Sequence, residues 1–126
     1  MGSDRIETTA TTVWIDDGVA HIRAKGVMST PETVAETYEV LRGLLADGPM
    51  PVLFDARLWP GPERQAWASL IKDMSSVFTA GALLIEPELE ADLGTYPEMV
   101  HRLLMPFGVF TEESEALDFV RAYRAE

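Results

Sequence analysis

An acid, a base and an aromatic occupy alternate positions in Pro51 to Gly61, PVLFDARLWPG: Asp55, Arg57 and Trp59. A carboxylate beside a guanidinium admits three kinds of chemistry. Asp55 can act as a general base while Arg57 anchors an anionic substrate or ligand. The two can instead form an ion pair that fixes the local turn, the commoner use of such a pair at the end of a strand. Asp55 can also accept from the backbone two residues on and cap the turn. Trp59, beside Pro60, Gly61 and Pro62, suits either a partner surface or pocket rim or a ring folded back on the core.

The remaining reactive residues form no recognisable set. His21 and His101 are 80 positions apart, and no HxH, HxxxH or HxxE pattern surrounds either, so no metal is expected. Glu86, Glu88, Glu90 and Asp92 lack the glycine and the 12-residue ligand spacing of a calcium loop and read as a solvated helix start. There is no cysteine, and GxSxG, P-loop and GxGxxG motifs are absent. Nucleophilic catalysis has no visible agent, and neither cofactor nor enzymatic activity is expected.

The elements that must position these residues follow from periodicity. Thr12 to Asp16 and Val19 to Ala24 alternate apolar and polar residues around Asp17-Gly18, which predicts a hairpin with a two-residue turn. Ile15 then faces Ala20 and Val13 faces Ile22 on an apolar side. Trp14 pairs with His21 on the opposite side, with Thr12 and Arg23, a face expected to be at least partly accessible and a candidate interface.

Thr30 as N-cap and Pro31 at the first helical position open a helix with the stripe Val34, Tyr38, Leu41 and Leu45, stopped by Gly48 and Pro49. Val52 to Phe54 reads as a buried central strand, placing Asp55 at its carboxyl end, where open α/β sheets hold ligands. After Pro62 a second helix carries Trp67, Leu70, Ile71, Met74 and Phe78 on one face, and Ala82 to Ile85 is a short buried strand. A third helix restarts at Thr95 and places Val100, Leu103 and Leu104 on its buried side. Phe107 to Phe110 is a minimal strand. Thr111, Glu112 and Glu113 start a last helix with the stripe Ala116, Leu117, Val120 and Tyr123. Strand and helix alternate from Pro31 onward, which predicts an α/β domain with a mostly parallel sheet and an antiparallel strand added by the hairpin.

Composition narrows the partners. The 126 residues suit one domain, with residues 1–10 a polar, flexible segment and 11–126 the folded unit. A formal charge of -11, from 21 acids against 10 scattered bases, provides no basic stripe for nucleic acid or an anionic membrane surface. No apolar run approaches the roughly 20 residues of a membrane span, and MGSDRIETTA lacks the apolar core of a signal peptide. With the absence of cysteine, these features predict a cytoplasmic protein.

The opening hairpin, VLFDARLWPG after the first helix, the ALLIE strand and the ending MPFGVFTEESEALDFV resemble the SpoIIAA-like group, which includes the small STAS and SEC14-type domains of bacteria. The resemblance spans Thr11 to Tyr123. It implies a mixed sheet of four to five strands, with an N-terminal hairpin, alternating helices and strands, and a C-terminal helix. STAS-type antagonists carry a phosphorylatable Asp-Ser pair at the start of the helix after the central strand. Here no hydroxyl residue lies between Phe54 and Ser69, so the phospho-switch is not carried over.

Three functions remain distinct. The first is a non-enzymatic interaction or scaffold module, homodimeric through the Trp14 and His21 face or bound to another protein. The second, suggested by the SEC14-like branch, is a carrier or sensor of a small apolar, lipid-like ligand between Asp55, Arg57, Trp59 and the helix bearing Leu103. The third is an enzyme with Asp55 as base and Arg57 as anion anchor.

Overall fold

A computed structural model describes residues 5–27, 30–45, 48–58, 77–87 and 105–123. Its strands are β1 (Ile6–Glu7), β2 (Thr11–Asp16), β3 (Val19–Ala24), β4 (Met50–Asp55), β5 (Phe78–Leu84) and β6 (Phe107–Phe110). The helices among these residues are α1 (Pro31–Leu44) and α2 (Glu113–Arg121). The strands form one mixed sheet in sequence order, antiparallel from β1 to β3 and parallel from β3 to β6.

The β2–β3 turn has Asp17 at φ 53° and Gly18 at φ 74°. Positive φ at both central positions matches the right-handed twist of the flanking strands and sets their register. Val13 consequently faces Ile22, Ile15 faces Ala20 and Trp14 faces His21, as the alternation predicts.

Strand alternation sends the two sides of the sheet into separate cores. On one side Val13, Ala20, Ile22, Val52 and Phe78 pack beneath Val34, Tyr38, Leu41 and Leu45 of the α1 region. On the other, Val19, Leu53, Ala82 and Leu84 pack beneath Ala116 and Val120 of α2. Gly81 permits the approach of β6, because a Cβ there would stand 2.8 Å from the Phe107 ring.

Helix α1 begins where the Thr30-Pro31 signal places it. The Thr30 hydroxyl accepts from the Thr33 N–H at 3.2 Å, and the Thr33 hydroxyl accepts from the Thr30 N–H at 2.8 Å, closing a capping box with threonine at both positions.

Among the described residues the sheet has six strands rather than four to five. The added β1 lies within the segment read as flexible, and two residues are too few to show an alternating pattern. Hydroxyl groups hold its turn onto the domain. Thr8 and Thr11 approach at 2.6 Å, Thr11 meets Thr37 of α1 at 2.9 Å, and the Thr9 N–H donates to Glu36 at 2.9 Å.

Three other boundaries differ. Phe78, expected on the second helix, begins β5 and packs against Tyr38, with ring centroids 6.2 Å apart. Its helical spacing from Met74 is coincidental with the strand's own start. Glu112, not Thr111, is the N-cap of α2, and its side chain makes no capping bond. Tyr123 lies beyond the helix end and is exposed. The helix expected from Pro62 and that bearing Leu103 lie outside the described residues.

Candidate functional site

The parallel β3–β4 register places Arg23 directly beside Asp55. At the end of β4 the Asp55 carboxylate takes both structural roles its position allows. It is held by Arg57 through Nε at 3.0 Å and Nη2 at 2.7 Å, a two-point pair, and its Oδ1 accepts from the Arg57 backbone N–H at 3.2 Å. The same group is therefore ion-pair partner and turn cap. Arg23 Nε adds a longer contact at 3.5 Å. Burial alone would raise the Asp55 carboxyl, but the Arg57 hydrogen bonds, with the charges of Arg57 and Arg23, hold it below the usual carboxylate range.

From Arg23 the constellation continues across the antiparallel strands. The Arg23 guanidinium lies 5.0 Å from the Trp14 ring centroid, and Arg5, just before β1, lies over the same ring at 4.3 Å. Trp14 stacks on His21 with centroids 5.0 Å apart and planes 7° from parallel. The side chains of Arg5, Trp14, His21, Arg23, Asp55 and Arg57 thus form a connected ladder from the β1 edge to the end of β4. Burial lowers the His21 pKa, with Asp16 and Glu113 opposing the shift.

Trp14 departs from expectation. The expectation of an exposed aromatic is corrected for Trp14, which is only 9% exposed, while Thr12, His21 and Arg23 on the same face are half-buried, so the face is partly accessible as expected. The tryptophan is covered in part by Arg5 and Arg23, whose guanidinium groups lie favourably on the negative face of an aromatic ring. Arg5, which is exposed, together with Arg23 and Arg57, whose side chains are 42% and 39% exposed, presents the accessible part of the ladder.

Sequence reasoning found Asp55 and Arg57 by adjacency and Trp14, His21 and Arg23 by the turn, but missed that Arg23 joins Asp55 and that Arg5 belongs to the site. The signal for Arg23 is the β3–β4 register, a non-local property. Arg5 acquires its position only through β1. Trp59, Leu103 and His101 lie outside the described residues. Among the described residues, no three His, Asp or Glu side chains converge closely enough to hold a metal ion. No described helix is long and apolar enough to cross a membrane.

A solved structure of an uncharacterised DUF3478-family protein with a SpoIIAA-like fold, from Shewanella loihica PV-4, is similar over 94% of this chain and 93% of its own, with a TM-score of 0.61 and 18% identity. That likeness shows the SpoIIAA-like fold. No curated protein matches the chain. The model of a domain of unknown function, DUF7793, matches residues 13–124, and the chain belongs to that family.

Proposed function

We propose that this DUF7793 member is a non-enzymatic interaction module of the cytoplasm that self-associates as a homodimer through the arginine-aromatic face of β1 to β3 and the end of β4. The carrying observation is the ladder itself, whose partly exposed guanidinium groups lie on an almost charge-balanced face of an acidic protein. Arg5, Arg23, Lys25 and Arg57 share this face with Glu7, Asp16 and Asp55. With a total charge of -11, two copies repel strongly through most other orientations.

A mixed patch is also what a two-fold interface requires, since each copy presents the same surface and a base on one must find an acid on the other. Arginine, which is what the ladder presents to solvent, is enriched at interface centres. The Asp55–Arg57 geometry supports a positioning role over catalysis, because both carboxylate oxygens are engaged by guanidinium groups. The apolar-carrier reading rests on Trp59 and Leu103 and gains no specific support from the described residues.

Light scattering after size exclusion tests the proposal. The native protein should elute as a dimer, and Arg23→Glu, on a partly exposed side chain, should give a folded monomer with unchanged circular dichroism. A conservative Arg23→Lys should keep the dimer. Persistence of the dimer in Arg23→Glu would refute the assignment of this face.

A further inference from the structure

Helix α1 carries a second strip of side chains beside the one it buries. Val34, Tyr38 and Leu41 pack on the sheet. At about 100° per residue, Glu36, Val40, Gly43 and Leu44 fall together on the flank facing the β1 edge, and Arg42 falls on the far flank. With Ile6 of β1 they line an open groove of about 370 Å³, with Glu39 on its outer rim. Ile6 is 37% exposed, Val40 and Leu44 are half-buried, and the lining holds two carboxylates and no base. Glu36 is fixed in place by accepting from the Thr9 N–H.

Gly43 is the least expected member of this strip. Glycine inside a helix is less favourable than alanine, and here neither backbone nor space calls for it. Its φ is not positive, and a Cβ there would meet no atom within 4 Å. A missing side chain on an outward helix flank does, however, let a second helix approach closely.

We propose that the groove between α1 and β1 binds an amphipathic helix of a partner protein, with aliphatic residues along one stripe and lysine or arginine beside it. The stripe packs on Ile6, Val40 and Leu44, and the bases on its α1 side meet Glu36 and Glu39. Length and charge select this occupant. Glu36 to Leu44 spans about 12 Å, roughly two helical turns, so apolar residues spaced i, i+4 and i+7 reach the groove floor together. Bases next to that stripe lie on the same half of the helix, over the carboxylates, whereas alternate side chains of an extended strand would point to opposite sides. An acidic helix would set carboxylates against Glu36 and Glu39 of a protein already at -11. The groove lies on the α1 side of the sheet, away from the proposed dimer face.

The probe is a fluorescent peptide of about 15 residues, with leucine at i, i+4 and i+7 spacing and lysine on the positions flanking that stripe, long enough to form a helix. Titrated by anisotropy against the native protein, it should bind saturably, with amide shifts in the NMR spectrum concentrated at Val40, Gly43 and Leu44. A peptide of the same composition with its leucines spread around the helix should bind at least about tenfold more weakly. Gly43→Phe puts a ring into the groove and Glu39→Lys reverses the charge of its rim. Each should weaken binding at least about tenfold with circular dichroism unchanged.

Failure to saturate, shifts mapping elsewhere, or native affinity in Gly43→Phe would overturn the proposal, and equal binding of the spread-leucine peptide would overturn the helical occupant. Equal binding of a glutamate-flanked peptide, or native affinity in Glu39→Lys, would overturn the basic partner class. If Gly43→Phe instead dissociated a native dimer, the occupant would be a second copy and the partner assignment would fall. Arg23→Glu should lose the dimer and keep the peptide, so a native monomer that binds the peptide would refute the dimer reading alone.

Discussion

Asp55 draws together neighbours from β3 and from the turn after β4, and its ionisation should be visible in stability. Removing a hydrogen bond to a charged group costs about 1.5–3 kcal/mol where solvent cannot replace it, and the partial exposure of Arg57 moves the expectation to the lower end. Asp55→Asn is therefore expected to lose about 1–2 kcal/mol at pH 7. The folded carboxyl has a depressed pKa, so its contribution is present above the unfolded value and is lost as pH falls through the folded one. Urea titrations from pH 7 to pH 3 should show the native and Asn curves converging below about pH 4. His21 has the same slope in a different window: its lowered pKa means the unfolded chain binds the proton more readily, so stability falls as pH drops below the ordinary histidine value. His21→Phe, which retains an aromatic partner for Trp14, should remove that slope between pH 7 and pH 5.5. An unchanged slope in the variant would assign it to another group.

At the scale of elements, the close β5–β6 contact depends on a missing side chain. Gly81→Ala places a Cβ against the Phe107 ring and should cost about 1–3 kcal/mol, the usual penalty of overpacking. Phe107→Leu in the same chain should recover part of that loss in chemical denaturation. If Gly81→Ala is neutral and Phe107→Leu only adds damage, the contact is not limiting. Much of this architecture is legible in sequence because it is locally encoded. The Asp17-Gly18 turn sets a register, Thr30-Pro31 starts a helix, and Val52 to Leu53 is too apolar to lie outside. Strand β1 is not legible, since Ile6–Glu7 becomes a strand only when Thr8, Thr11 and Thr37 join their hydroxyls across elements. The site divides similarly: Asp55 and Arg57 are neighbours in the chain, whereas Arg23 joins them only once β3 and β4 lie parallel in register.

At the scale of the whole molecule, the described residues cover the two sides of the sheet with different helices. Helix α1 covers the Val13, Ile22 and Val52 side, while α2 covers the other side over β4 to β6. The arginine-aromatic ladder occupies that second side toward β1, with its charge almost balanced inside a strongly acidic surface. This distribution favours self-association through the ladder. The most direct measurement is native mass spectrometry of the freshly purified protein, which reports subunit count and retained small molecules together. The expected species has twice the 13.9 kDa chain mass with no added mass. A monomer across the concentration range would contradict it, and added mass that disappears on denaturation would point instead to the carrier.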